Sequence, residues 1–470
     1  MRKLFITTVM ALMLTVAALA QTPKYVFYMI GDGMSIASVI TTERYLAALN
    51  DSIGRVKTTM SEFPHFALAN TFSATHGTTD SAAGGTALAT GYKTKNGVVG
   101  MNTECTKPLT SIAAMAKASG KAVGVISTVS IDNATPAAFY AHVPKRGMYH
   151  TIGKQLPDSN FDFFGGGDFT ATEPEDNDGI ELHKYMADRG YKQYFGIEDY
   201  RANGGAKQSK VILSPAKKGD KVPTTLEFAI NRQPGDLQLE DITQAAIDFL
   251  YSKNKGFFLA IEGGMIDHSC HNNDAASTIQ EVLDFDQTIR LAYEFYKKHP
   301  KETLIVITAD HETGGMSMGT GGYELRYKHL SAQKCSTPVL SKKVLAALND
   351  KDNPTTWGKM KQLLSEETGL WTEAKVSKAQ EIRIREAYYA SIDGVSKKDE
   401  NMYYANEQIA STAIKVLNEI CGIGWTTSGH SGMCVPVFSI GVGAQNFVGV
   451  IDNTDIPRKI ARIAGYKLQF

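Results

Sequence analysis

The sequence is short of the features that mark several large classes of protein. It has no surplus charge, with 49 Lys and Arg against 49 Asp and Glu. Proteins held to nucleic acid by bulk electrostatics carry a basic excess, so this balance argues against a nucleic-acid-binding surface, and it offers no polybasic membrane patch. Cysteine is scarce. The five residues Cys105, Cys270, Cys335, Cys421 and Cys434 include no Cys-x-x-Cys pair, so neither a thiolate zinc site nor a thioredoxin-like motif is supported. An odd count leaves at least one thiol unpaired, and Cys421 and Cys434 are the nearest candidates for a bridge. There is no Gly-x-Ser-x-Gly elbow around the small-residue segment that follows Ser81, which removes the usual α/β-hydrolase nucleophile. Beyond the first twenty residues, no run approaches the ~18 consecutive apolar residues of a membrane helix.

What is present is the composition of a folded enzyme-sized chain. A 43% apolar, 21% charged sequence is too hydrophobic for disorder. Its 470 residues suit one large α/β domain with insertions, or two to three ordinary domains. The start has the form of an export signal: Arg2 and Lys3, an apolar stretch from Leu4 to Ala17, then Ala18-Leu19-Ala20 at a small-x-small cleavage site. The expectation is a signal peptide over 1–20 and a periplasmic or secreted mature chain, 21–470, with no membrane span.

Near-continuous apolar runs end repeatedly in polar, Gly-containing turns. Tyr25–Ile30 runs into Asp32, 122–126 leads to Asn133 and Thr135, 256–261 precedes Glu262 and Asp267, and Thr303–Thr308 precedes Asp310-His311. A further run covers 435–442. Such runs suit strands buried on both faces of a mostly parallel sheet, and the amphipathic segments 239–251 and 275–296 supply the helices between them. The pattern predicts an α/β fold, a doubly wound, mostly parallel central sheet flanked by helices, with ligands beyond the carboxyl ends of the strands. The segment 323–420 is charged, helical in period and without buried-strand runs, and reads as a mostly helical insertion that covers or flanks the active face. Gly165–Gly167 and the acidic stretch Glu173–Asp178 read as a surface loop.

Carboxylate and imidazole gather past those strand ends. Asp267-x-x-x-His271, Asp310-His311 and His430 offer oxygen and nitrogen donors suited to zinc or similar cations. Singly, Asp267 and His271 read more readily as a hydrogen bond along a helix, and Asp310 as a helix N-cap; together they read as a metal site. Ser81 opens a run of small residues that ends at Thr90-Gly91. At a helix N-terminus its oxyanion is favoured by free amides and the helix dipole. Activation by metal coordination is the consistent route.

Gly31-Asp32-Gly33-Met34, Thr79-Asp80-Ser81-Ala82-Ala83, Ala134-Thr135-Pro136-Ala137, His142-Val143 followed by Arg146, Glu262-Gly263-Gly264 with Asp267 and His271, Ala309-Asp310-His311 and Ser428-Gly429-His430 occur in one order. In these motifs the sequence resembles the alkaline phosphatases, secreted metal-dependent phosphomonoesterases, from about Lys24 to Gly322 and again from near Thr426. The resemblance implies two zinc ions and one magnesium. Asp267, His271 and His430 match the ligands of the first zinc; Asp32, Asp310, His311 and Ser81 match those of the second. Thr135 and Glu262, with Asp32, match the magnesium site. Arg146 matches the phosphate-gripping arginine, and His268 a position that contacts phosphate indirectly in some members. The implied reaction is hydrolysis of phosphate monoesters at alkaline pH through a phosphoserine on Ser81, by a possible homodimer. Where the bacterial prototype has a carboxylate and vertebrate members a histidine, this chain has Asn133, which implies a weaker third metal site. Asp132 would point elsewhere in that register, and Cys270 reads as a bystander thiol. A related two-metal phosphodiesterase or phosphoglycerate mutase, or an exported metal- or phosphate-binding protein without catalysis, are the alternatives.

Overall fold

The computed structural model describes residues 22–172 and 178–467; the expected signal peptide and most of the Glu173–Asp178 stretch lie outside them. A ten-stranded sheet contains β1 (Tyr25–Ile30), β2 (His65–Asn70), β3 (Ala122–Ser130), β4 (Phe163–Gly167), β5 (Tyr191–Phe195), β6 (Lys210–Ser214), β7 (Phe257–Glu262), β8 (Thr303–Thr308), β9 (Val435–Gly441) and β10 (Gly449–Asp452). Their spatial order is β10-β2-β9-β8-β1-β7-β3-β4-β6-β5. Only β9 runs antiparallel to its neighbours in this sheet. The fold is the doubly wound, mostly parallel sheet flanked by helices that the apolar runs predict.

The five legible runs became β9, β8, β1, β7 and β3, which are consecutive in space. Every residue of β1, β3, β7 and β8 is buried, as strands covered on both faces must be. Helices α1 (Ile36–Leu49), α2 (Ser81–Thr90), α3 (Leu239–Ser252), α4 (Met265–His271) and α5 (Ala275–Lys298) follow the inner strands or pack on them. The surface-loop reading of Gly165–Gly167 is wrong: these residues form the buried end of β4. The glycines are there for clearance, since a Cβ on Gly165 would strike Ile242 of α3 and one on Gly167 the backbone of Thr224.

Between 323 and 420 the chain forms α6 (Thr337–Asn349), α7 (Trp357–Thr368) and α8 (Lys378–Ile392), with α9 (Gln408–Cys421) closing the segment. Leu340, Met360, Leu364, Ile384 and Ile414 make a second hydrophobic core, which also takes in Tyr45 of α1 and Ile279 of α5. One carboxylate joins it to the sheet body. Asp274, fully buried, caps α5 through Ser277 N–H (3.0 Å) and the Ser277 hydroxyl (2.8 Å). It also accepts from Gln333 Nε2 (2.9 Å), the Thr337 N–H (2.9 Å) and the Thr337 hydroxyl (2.8 Å) at the start of α6. All five cysteines are free: Cys421 is buried, whereas Cys434 lies beside Asn70, so they do not form a bridge.

Five donors converging on one buried carboxylate make Asp274 the most sensitive joint between the two cores. Asp274→Ala should lower unfolding stability by about 3 kcal/mol, combining a lost cap with stranded buried donors. Lys184→Ala, which breaks an exposed pair with Asp188 at 2.7 Å, should leave it essentially unchanged. Denaturant unfolding of both variants checks this; equal shifts would contradict it.

Candidate active site

Parallel, in-register pairing brings the chemical groups to one level. Ile30 lies opposite both Glu262 and Thr308, and Ser127 opposite Glu262. Asp32 and Asp310 therefore each emerge two residues past aligned positions, with Glu262 at the end of the strand between β1 and β3. Beyond β3, Asn133 starts the short helix Ala134–Ala137 that carries Thr135. Gly33 turns the chain after Asp32 with φ +68, where a Cβ would sit 2.8 Å from both Asp267 Oδ1 and Thr313 Oγ1. Only glycine meets both demands.

Ser81, fully buried, is the first residue of α2, whose N-cap is Asp80. Asp80 accepts from Ala83 N–H (3.0 Å) and Gly97 N–H (2.9 Å) and lies 3.7 Å from Arg146 Nη1. It thus fixes the serine and the arginine together. Gly84 and Gly85 let α2 approach closely: a Cβ on the first would lie 2.9 Å from the Asp310 carbonyl and one on the second 3.1 Å from Thr135 Cα. Ser81 Oγ is 3.1 Å from His311 Nε2, which also faces Asp310 Oδ2 (3.3 Å) and Asp32 Oδ1 (3.4 Å).

Three histidines are oriented from behind. His271 Nδ1 meets the Ser428 carbonyl at 2.5 Å and His430 Nδ1 the Thr79 carbonyl at 2.9 Å; His311 Nδ1 meets Thr313 Oγ1 at 3.2 Å. Carbonyl oxygens only accept, so His271 and His430 each carry a proton on Nδ1, and in the neutral ring the Nε2 lone pair turns inward. Those two Nε2 atoms are 3.2 Å apart, and His271 Nε2 is 3.2 Å from Asp267 Oδ2. Two lone pairs at that distance repel unless a cation or an added proton lies between them. Ring stacking of His311 on His430, centroids 3.6 Å apart, joins this group to the one around Asp32.

The carboxylates make the same demand. Asp32, Glu262, Asp267 and Asp310 are all buried, and Asp32 Oδ1 and Glu262 Oε1 have no hydrogen-bond partner. Burial, reinforced by Asp310, Asp267 and Glu262, holds Asp32 well above the ordinary carboxylate range. Burial likewise pushes Glu262 up to about 7 and Asp310 up to about 8. Asp267 goes the other way, because the attraction of His271, whose own pKa it raises, outweighs the cost of its burial. His311 is kept neutral by burial and by His430. Donor atoms of Asp32, Asp310 and His311 lie within 4.8 Å of one another, and so do those of Asp267, His311 and His430. Neutral imidazoles and orphaned carboxylate oxygens fit divalent metals. Thr135 Oγ1 adds an oxygen 3.4 Å from Asp32 Oδ2 and 3.5 Å from Asp310 Oδ2.

Arg146 borders the same space. Its Nη2 contacts Asn133 Oδ1 at 3.4 Å, while its buried Nη1 has no hydrogen-bond partner. Burial opposes its charge, but the neighbouring Asp80 carboxylate offsets that cost and the guanidinium stays protonated. Asn133 Oδ1 is also occupied by Ala134 N–H at 2.7 Å, and Asp132 turns away to Thr170.

A buried serine at a helix N-terminus, a charged arginine with a free N–H and a carboxylate–imidazole cluster beyond a parallel sheet define a metal-assisted phosphoryl-transfer hydrolase. The chain belongs to the alkaline phosphatase family: the family model described as alkaline phosphatase matches residues 23–466. That match runs through the helical segment which the motif resemblance leaves out. Alkaline phosphatase 4 of Bacillus subtilis is 32% identical over 397 residues, covering 82% of this chain and 76% of that protein. Alkaline phosphatase 3 of the same organism is 30% identical over 464 residues, covering 95% and 90%. The cold-active alkaline phosphatase of Shewanella sp. superposes with a TM-score of 0.77 at 29% identity, covering 94% of this chain and 99% of that one. The protein is accordingly a phosphoric monoester hydrolase. Among the described residues no helix is long and apolar enough to cross a membrane.

All eleven residues singled out in the sequence, from Asp32 to His430, converge on this site. Asp310 caps no helix; it sits in the turn after β8. Cys270 is buried with its Sγ near Thr278 Oγ1. What the sequence reading missed is the supporting layer: Asp80, Thr79, Ser127 (whose hydroxyl bonds Glu262), Thr313, Ser428 and the pair Tyr403-Tyr404. Asp80 was legible as an N-cap. The backbone acceptors and the tyrosines carry no spacing signal.

A group whose pKa is raised keeps its proton below that pKa, and a cation must displace it. Zinc binding to metal-stripped protein at pH 7 should therefore release at least about one proton per chain, and affinity should fall as pH drops from 9 to 6. Calorimetry in buffers of differing ionisation enthalpy checks both; pH-independent affinity without proton release would contradict the assignment.

Proposed function

We propose that the protein hydrolyses phosphate monoesters through a covalent phosphoserine on Ser81. The observation that carries this reading is the Ser81 hydroxyl 3.1 Å from His311 Nε2, inside the Asp32–Asp310–His311 group and at the N-terminus of α2. Free amides and the dipole of α2 favour negative charge on Ser81 Oγ. Ser81 Oγ attacks phosphorus in line; its bond to phosphorus forms as the bond to the ester oxygen breaks. Water then attacks the phosphoserine, releases inorganic phosphate and regenerates Ser81. The planar fork of Arg146, held by Asp80 and Asn133, takes phosphate oxygens through Nη1, which has no hydrogen bond of its own, and its neighbour. His268, next to Asp267 on α4, is the second phosphate contact. Zinc held by Asp267, His271 and His430, and by Asp32, Asp310, His311 and Ser81, with magnesium held by Asp32, Thr135 and Glu262, would supply Lewis acidity to the serine and the leaving oxygen. An alkaline optimum follows, because protons compete with metals for Glu262 and Asp310 at lower pH. The export-signal pattern of the sequence at 1–20, Arg2 and Lys3 followed by an apolar stretch, supports export to the periplasm or beyond.

The third metal site is the weak one. Asn133 brings no charge, and its oxygen is already used by Ala134 N–H and Arg146. Magnesium bound in the M3 site is described for a variant of the Antarctic TAB5 alkaline phosphatase; here magnesium should exchange on dialysis while zinc stays. Retention of both in equal stoichiometry would contradict this.

Ser81→Ala should reduce turnover of an aryl phosphate monoester by roughly 10³-fold or more while leaving inorganic phosphate binding intact. Near-full activity would displace Ser81 as nucleophile. The wild type should prefer the monoester to its diester; the reverse would favour a phosphodiesterase, and phosphate binding without turnover a non-catalytic protein.

A further inference from the structure

The helical segment sends one excursion back to the catalytic face. Asp399 pairs with Asn406 and Glu400 with Ala405, so the chain turns tightly at 401–404. Asparagines bolt this turn to α4. Asn401 Oδ1 accepts the N–H groups of Tyr403 and Tyr404, both at 2.9 Å. Asn401 Nδ2 donates to the His271 carbonyl (3.3 Å) and to Asn272 Oδ1 (2.9 Å), and Asn406 Nδ2 donates to the same Asn272 oxygen at 2.7 Å. Asn272 Nδ2 in turn donates to the His268 carbonyl at 2.9 Å.

What the turn delivers is two rings around His268. Tyr403 stacks on its imidazole, centroids 3.7 Å apart and planes at 21°, and meets His271 edge-on at 5.3 Å. Tyr404 approaches from the far edge, its hydroxyl 3.2 Å from His268 Nδ1 and its ring against Phe228. His268 is only 5% exposed, and its Nε2 is buried with no hydrogen-bond partner.

We propose that Tyr404 and Tyr403 are positioning residues for phosphate. Tyr404 O–H donates to His268 Nδ1 and holds the ring as the Nε2–H tautomer, while Tyr403 fixes its plane. His268 then offers a set N–H donor to a phosphate oxygen or to a water on it. The opposite tautomer would point a lone pair into the field of Asp267 and an incoming anion, and would leave the Tyr404 proton without an acceptor among the described residues. The inference deepens the reading of this site as a phosphate site and rests on it. It also gives the helical segment a part in the chemistry.

The test uses zinc-loaded enzyme, Tyr404→Phe, His268→Ala and the double variant, with inorganic phosphate as competitive inhibitor. Tyr404→Phe should weaken phosphate and lower kcat/KM by about five- to tenfold, the worth of one hydrogen bond to an anion, with zinc content and melting temperature at wild-type values. In the His268→Ala background the second substitution should have no further effect. ¹⁵N-histidine spectra should show the Nε2–H tautomer of His268 in the wild type and a mixture in Tyr404→Phe. Wild-type phosphate affinity in Tyr404→Phe, an undiminished effect without His268, or loss of zinc or melting temperature in Tyr404→Phe would each overturn the inference. A wild type that binds phosphate without hydrolysing monoesters would overturn the functional reading alone, since the phosphate arm still decides this one.

Discussion

Four carboxylates, Asp32, Glu262, Asp267 and Asp310, are crowded out of water at the carboxyl ends of neighbouring strands, and the rest of the structure answers to that constraint. Buried carboxylates repel and lose hydration, so without positive charge they keep protons they would shed in water. The directions of their pKa values record this: up for Asp32, Glu262 and Asp310, down for Asp267, which has the histidines. The imidazoles repeat the message, two of them held through Nδ1 so that their Nε2 atoms, bare in the neutral rings, face each other. A set of acidic oxygens and bare nitrogens arranged this way is a container for cations.

The scaffold accommodates that container by close approach. Glycines at 33, 84 and 85 let the turn after β1, helix α2, the turn bearing Asp310 and the short helix bearing Thr135 come nearer than side chains would permit. The serine then sits where the helix amides and the cluster coincide, and Asp80 ties Ser81 to Arg146. Balanced overall charge is no contradiction. Charge is spent locally, with acidic groups inside the cluster and the half-buried Arg146 guanidinium at its border to meet an anion.

Much of this was legible in the sequence because the central strands are buried on both faces and so are written as unbroken apolar runs. The outer strands are not: β2 and β10 mix buried and exposed residues, and β4 ends in glycines chosen for clearance rather than β-propensity. Ligand residues were legible since acids and histidines directly after apolar runs are conspicuous. The tyrosines at 403 and 404 were not, for they sit more than 130 residues along the chain from His268 in a polar turn with no period, and only the asparagine contacts with α4 bring them home. Carbonyl acceptors such as those of Thr79 and Ser428 are invisible in principle, because every residue has one.

The central claim is that this cluster exists to hold metal. Anomalous diffraction at the zinc edge from crystals of the purified protein tests it most directly. Two zinc peaks are predicted, one among Asp267, His271 and His430 and one among Asp32, Asp310, His311 and Ser81. A zinc-supplemented crystal in which these side chains keep their positions with no anomalous peak between them would contradict the account.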